Sequence, residues 1–156
     1  MVCYTAAQAS DHIMDEENFQ FLTVKFDEVA KDKSLLSVTR MLAVDLQQRP
    51  YQSVGDFLKN LSDGDLDTLL DAADHEMSPH FADLLIITEM LASAEGVVSE
   101  YTDEDAMVER TRGRTLSLIT YLAIESLARK GAVKAHRDNM SFGDDAGDKI
   151  VVERLE

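Results

Sequence analysis

The sequence predicts a mainly α protein: a single-domain bundle of about six helices, closed by a small C-terminal β-hairpin. Three observations lead there. The 156-residue chain holds only two prolines and seven glycines, so little in it interrupts helices. Two stretches, 79–95 and 115–131, are apolar around most of a helical circumference and therefore call for burial on several sides. Elsewhere, hydroxyl residues stand three places ahead of acids just where an apolar period begins, which is the signature of a helix N-terminus.

Residues 1–14 are small and mixed, without period, and read as a loose arm. Asp15, Glu16 and Glu17 then open a segment in which Phe19, Leu22, Phe26, Val29 and Ala30 fall at helical spacing, and acids in a first turn suit the helix dipole. Lys31-Asp32-Lys33 interrupts it. A second helix is expected from Ser34 through Leu35, Val38, Leu42 and Leu46, stopping near Pro50. Ser53 with Asp56, and Ser62 with Asp65, cap two short helices. Ser78-Pro79 starts a fifth, with Ser as the cap and Pro at the first position, where a missing N–H costs nothing; Gly96 ends it.

Thr102 with Asp105 restarts a helix at 103. Arginines at a fresh N-terminus near Thr111 would oppose the dipole, so one long helix from 103 to 130 is expected, closing on Arg129, Lys130 and Gly131. Its second half, Thr115 to Gly131, is expected at the centre of the bundle. Beyond Gly131, AVKAHRDNMSF and KIVVERL flank a Gly/Asp turn and read as two extended segments. The organisation is thus an arm over 1–14, a bundle over 15–131 and a hairpin or tail over 132–156.

The formal net charge of −15 removes whole classes of function. Direct nucleic-acid or anionic-membrane binding needs a positive field. A basic protein partner suits it, including proteins that themselves hold DNA. A lone Cys3 excludes an intramolecular disulfide framework and a Cys-based zinc site. The opening stretch has neither the basic nor the apolar region of a signal peptide, and no run reaches the ~18–20 apolar residues of a bilayer span. The expected location is cytoplasmic, or within a particle assembled in the cytoplasm.

Four clusters could carry chemistry. His75-Glu76 with His80 has histidines five apart around Pro79, where a zincin needs them four apart on one helix face. Asp63, Asp65 and Asp67 have calcium-loop spacing, but Thr68 stands where that loop needs Gly, and acids at a helix N-terminus explain them as well. Glu89 and Glu125 are carboxylates on otherwise apolar helices. Partial burial would raise their pKa and fit them for acid/base or metal work, while Arg129, four residues after Glu125, offers the plainer account of an ion pair. Arg110, Arg112 and Arg114 form the one cationic cluster; their forks suit phosphate or carboxylate, and pairing with neighbouring acids is the plainer account. No catalytic triad, cofactor motif or metal-ligand set is expected.

Segment 84–105 resembles the tellurite-resistance TerB-type helical domain at one helix junction, through Glu95-Gly96-Val97-Val98-Ser99 and Glu100. Such turns usually carry Asp where this chain has Glu95. The resemblance implies only a helix, a tight turn and a second helix started by acids.

The expected function is a non-enzymatic acidic protein that works by protein–protein contact, as adaptor, assembly factor or inhibitor. Surplus apolar area on two helices would serve a partner or self-association. Size and acidity also suit a phage-encoded protein. Two alternatives stand beside it: a DNA-mimic inhibitor of a DNA-handling protein, and a metal-dependent helical enzyme using Glu89 and Glu125.

Overall fold

Helix α5, Phe81–Ala94, organises the molecule. The structure is a computed structural model and describes residues 25–48, 52–75, 78–96, 104–142 and 152–155, without the side chains at 104–108, 110 and 152. Within α5 every residue from Phe81 to Thr88 is buried, as are Met90, Leu91 and Ala92. A helix with no polar face survives only when surrounded. Its neighbours are α2 (Ser37–Gln48), α4 (Asp63–Ala73) and α6 (Glu104–Arg129). Gly96, at φ 75°, stops it as the sequence predicts.

Two shorter helices, α1 (Phe26–Lys31) and α3 (Val54–Asn60), complete six among the described residues. Strand β1 (Val133–Ala135) pairs antiparallel with β2 (Val152–Arg154), in the register Val133 opposite Arg154 and Ala135 opposite Val152. The helical bundle with a C-terminal hairpin is therefore what the chain forms.

The caps account for the short helices. Ser53 Oγ accepts from Asp56 N at 3.2 Å and Asp56 Oδ2 accepts from Ser53 N at 3.5 Å, a complete capping box on α3. Ser62 Oγ accepts from Asp65 N at 3.1 Å on α4. This places Asp63, Asp65 and Asp67 on helix rather than in a loop.

Four expectations need correction. Lys25 is extended, so no continuous helix passes through it, and α1 begins at Phe26. The segment before Lys25, the arm 1–14 and the Thr102 cap lie outside the described residues. Helix α2 starts at Ser37 rather than Ser34, because Asp32 Oδ1 accepts from both Ser34 N and Ser34 Oγ and holds that stretch in a turn. Helix α5 starts two residues later than Ser78-Pro79 suggests, since Ser78 Oγ accepts from His80 N and Ser78 O from Phe81 N.

The fourth correction is the largest. Helix α6 does run unbroken through Gly113, but its second half is not central. Thr111, Thr115, Leu118, Tyr121, Leu122 and Glu125 are buried, while Leu116 is 64% and Leu127 45% exposed. The buried positions recur at spacings of three and four, a single stripe turned to α4 and α5. Apolar residues all round a helix permit burial on every side; the number of neighbours decides how much occurs.

The C-terminal segment is built into the bundle. Met140 and Phe142 are buried, and Tyr121 Oη donates to Ser141 O at 2.9 Å. The 3₁₀ turn Arg137–Asn139 lies so close on α3 that a Cβ at Gly55 would collide with the Arg137 carbonyl. No helix among the described residues is long and apolar enough to cross a membrane.

Candidate functional site

Glu125 is completely buried on α6, and Arg137 clamps it. Arg137 Nε donates to Oε1 at 2.6 Å and Nη2 to Oε2 at 2.7 Å, the bidentate fork that suits a guanidinium. The expected partner, Arg129, is secondary: its Nε is 3.6 Å from Oε2. Arg129 is held mainly by Asp63 Oδ1 at 2.7 Å and the Leu58 carbonyl at 2.8 Å. One charged network thereby ties together α6, the 3₁₀ turn, the end of α3 and the start of α4. Both oxygens of Glu125 are committed to it.

Glu89 lies elsewhere. Its neighbours on α6 are Thr111, whose hydroxyl hydrogen-bonds the carboxylate, and Arg114, so two separate sequence candidates converge here. Thr111 and Glu125 are fourteen positions apart on one helix, ~21 Å along its axis. The two carboxylates share no partner. Arg112 is exposed on α6, and the Arg110 side chain lies outside the described residues.

Oxygen Oε1 of Glu89 is buried with no hydrogen-bond partner. Burial pushes the carboxyl above the usual glutamate range, against the opposing pull of the Arg114 charge and the Thr111 hydroxyl. The native state therefore holds this proton more tightly than the unfolded chain does. Stability from this group is greatest below the ordinary value of 4.5 and falls as pH rises from there through the raised native value. Glu89→Gln is expected to stabilise the protein at neutral pH by about 1 kcal/mol, with the gain fading below pH 4.5. Thermal melts of both proteins across that range check it; a gain that persists unchanged in acid contradicts it.

Two carboxylates, one buried and one half-buried, escaped the sequence reading. Asp83, in the first turn of α5, is fully buried; its Oδ1 accepts from Leu36 N at 2.9 Å and Thr39 Oγ1 at 2.5 Å, and its Oδ2 is 3.2 Å from His80 Nδ1. It caps α2 from another helix. Glu95, just past α5, accepts from Val54 N at 3.0 Å and Phe142 N at 2.8 Å, joining the start of α3 to the C-terminal segment. Burial raises its carboxyl as well, opposed by those two amides. His75 and His80 are not brought together as ligands: His75 is exposed, and His80 turns to Asp83.

Among the described residues, a groove of about 240 Å³ lies between α2 and the α3–α4 corner. Met41, 64% exposed, and Phe57 give it apolar surface, and Asp45, Asn60 and Asp65 line it with polar groups. Gln52 contributes a side chain that is only 6% exposed, with Oε1 lacking a hydrogen-bond partner. Such an oxygen costs ~1–3 kcal/mol unless a donor reaches it. A cation with several N–H donors and an apolar body is the chemistry that complements this lining.

Among the described residues, no three His, Cys, Asp or Glu side chains stand close enough to hold a metal ion. No family model matches the chain, nor does any curated protein or solved structure. No family model supports the TerB-type likeness, and four of its six residues, Val97 to Glu100, lie outside the described residues.

Proposed function

We propose that the protein acts without catalysis, by binding another protein through the groove between α2 and the α3–α4 corner. The segment it takes carries an arginine or lysine flanked by apolar residues. The observation that carries this proposal is the lining itself: exposed Met41 stands with the carboxylates of Asp45 and Asp65 in one groove, with the buried Gln52 amide oxygen behind them still without a donor. The charge of −15 supports it by steering a basic partner towards the molecule. An adaptor, assembly or inhibitor role follows from occupying such a segment. A metal-dependent role for Glu89 and Glu125 draws no support from two carboxylates with separate partners.

One observation favours a second reading, DNA mimicry. Asp63, Asp67, Asp71 and Asp74 are all exposed along α4, a row spaced by ~6 Å or less. A mimic needs a second such row on the same face.

One experiment separates the two. The immobilised protein is exposed to lysate of its source cell beside two variants, Met41→Glu with Asp45→Lys in the groove and Asp67→Asn with Asp71→Asn on the row. Retained proteins are identified by mass spectrometry. A partner lost only by the groove variant is the expected result. A DNA-handling protein lost only by the row variant supports mimicry instead, and a partner that both variants retain sinks the groove.

A further inference from the structure

The face of α6 turned away from the bundle has an order that the monomer does not use. Glu109, Gly113, Leu116, Thr120, Ala123, Leu127 and Lys130 are all exposed and alternate at spacings of four and three. That is the seam of a two-helix coiled coil, opposite the stripe α6 buries. Leu116 and Leu127 are among the largest apolar side chains left open to water on the described surface. Gly113 is a mid-helix glycine where an added Cβ would meet nothing within 4 Å. Nothing among the described residues of one copy asks for glycine there.

We propose that two copies of this chain pair antiparallel along this seam, about a two-fold axis at Thr120. In that arrangement Leu116 of one copy meets Ala123 of the other, and Leu127 meets Gly113. Each large side chain faces a small one. Glu109 meets Lys130, so the ends of the seam carry opposite charges. The parallel alternative sets Gly113 against Gly113, leaving a void, and places Glu109 and Lys130 each against its own like charge. The same surface serves both copies, as a two-fold interface requires. The seam shares no residue with the α2–α3–α4 groove. Self-association therefore stands independently of the partner proposed for that groove.

Magnitude sets the strength. The seam is roughly 32 Å long and a helix about 10 Å wide, giving a footprint of ~300 Å² per copy. A stable complex covers about 800 Å² per partner. The dimer is accordingly weak, forming between ~10 µM and ~1 mM.

Sedimentation equilibrium over that range, in ~0.3 M salt to screen the repulsion between two acidic chains, tests it. The wild type is expected to rise towards twice the monomer mass. Thr120→Glu sets two carboxylates face to face on the axis and keeps the protein monomeric throughout, with its groove partner still bound. Glu109→Lys and Lys130→Glu each weaken pairing by about 2–5-fold, and the double variant restores it. Should Thr120→Glu disturb folding, as read by thermal melting, cysteines take its place in a Cys3→Ser background. Thr120→Cys cross-links under mild oxidation. Leu116→Cys does not, because its mate lies ~12 Å along the axis, beyond disulfide reach. A wild type that stays monomeric at the highest concentration overturns the proposal. So does a dimer indifferent to Thr120→Glu, a double charge variant that fails to recover, or equal cross-linking at both cysteines.

Discussion

Arg137→Ala is expected to lower the stability of the protein by about 3 kcal/mol. Glu125 has no exposed surface, and Arg137 satisfies both of its oxygens. Removing the guanidinium leaves a buried carboxylate with only Arg129, at 3.6 Å and already committed to Asp63 and the Leu58 carbonyl. Breaking one partner of a buried pair costs more than the pair is worth, because the remaining charge has lost its counterpart. The double replacement Glu125→Met with Arg137→Met should recover most of the loss. Urea denaturation of the three proteins measures it, and a chain of this size should also melt ~6–12 °C lower as Arg137→Ala. A single variant that loses less than about 1 kcal/mol would mean that water reaches Glu125.

Asp83→Ala is expected to cost a similar amount, about 3 kcal/mol, from a different source. Its carboxylate supplies the acceptor for Leu36 N and Thr39 Oγ1 at the start of α2. Alanine leaves a buried hydroxyl and an amide unpaired and uncaps a helix that has no acid in its own first turn. Asp83→Asn keeps an oxygen in the same place and should cost only about 1 kcal/mol, the loss falling on the contact with His80. Amide hydrogen exchange locates the effect: in Asp83→Ala the first turn of α2 should lose protection before α4 does. Equal destabilisation by Ala and Asn would show that the charge, rather than the acceptor, matters.

The sequence made the local features legible. Ser53 with Asp56 and Ser62 with Asp65 act within one turn, so their spacing alone reveals them. Gly96 and the single helix through Gly113 were legible for the same reason. Partners distant in the chain were not. Asp83 acts on residues 44 and 47 positions away, and Glu95 on residues 41 and 47 away. A favourable i,i+4 neighbour pointed from Glu125 to Arg129, whereas a short turn beyond the helix brings Arg137 closer. Which face of α6 is buried was equally hidden, because leucines occupy both. Of the candidate groove, the sequence shows none: its lining comes from three helices and the residues between them.

The long-range polar ties also bear on how the chain comes into being. Helical bundles ordinarily fold fast because their contacts are local. Here the amide of Val54 waits for Glu95, 41 residues downstream, and Leu58 O and Asp63 wait 71 and 66 residues for Arg129. At a synthesis rate of ~5–20 residues per second, α3 emerges about 2–8 s before Glu95 does. Phe57 and Leu58, buried in the finished molecule, spend that interval without the helices that cover them. Slow translation lengthens that interval of exposed apolar surface, and is expected to lower the yield of folded protein.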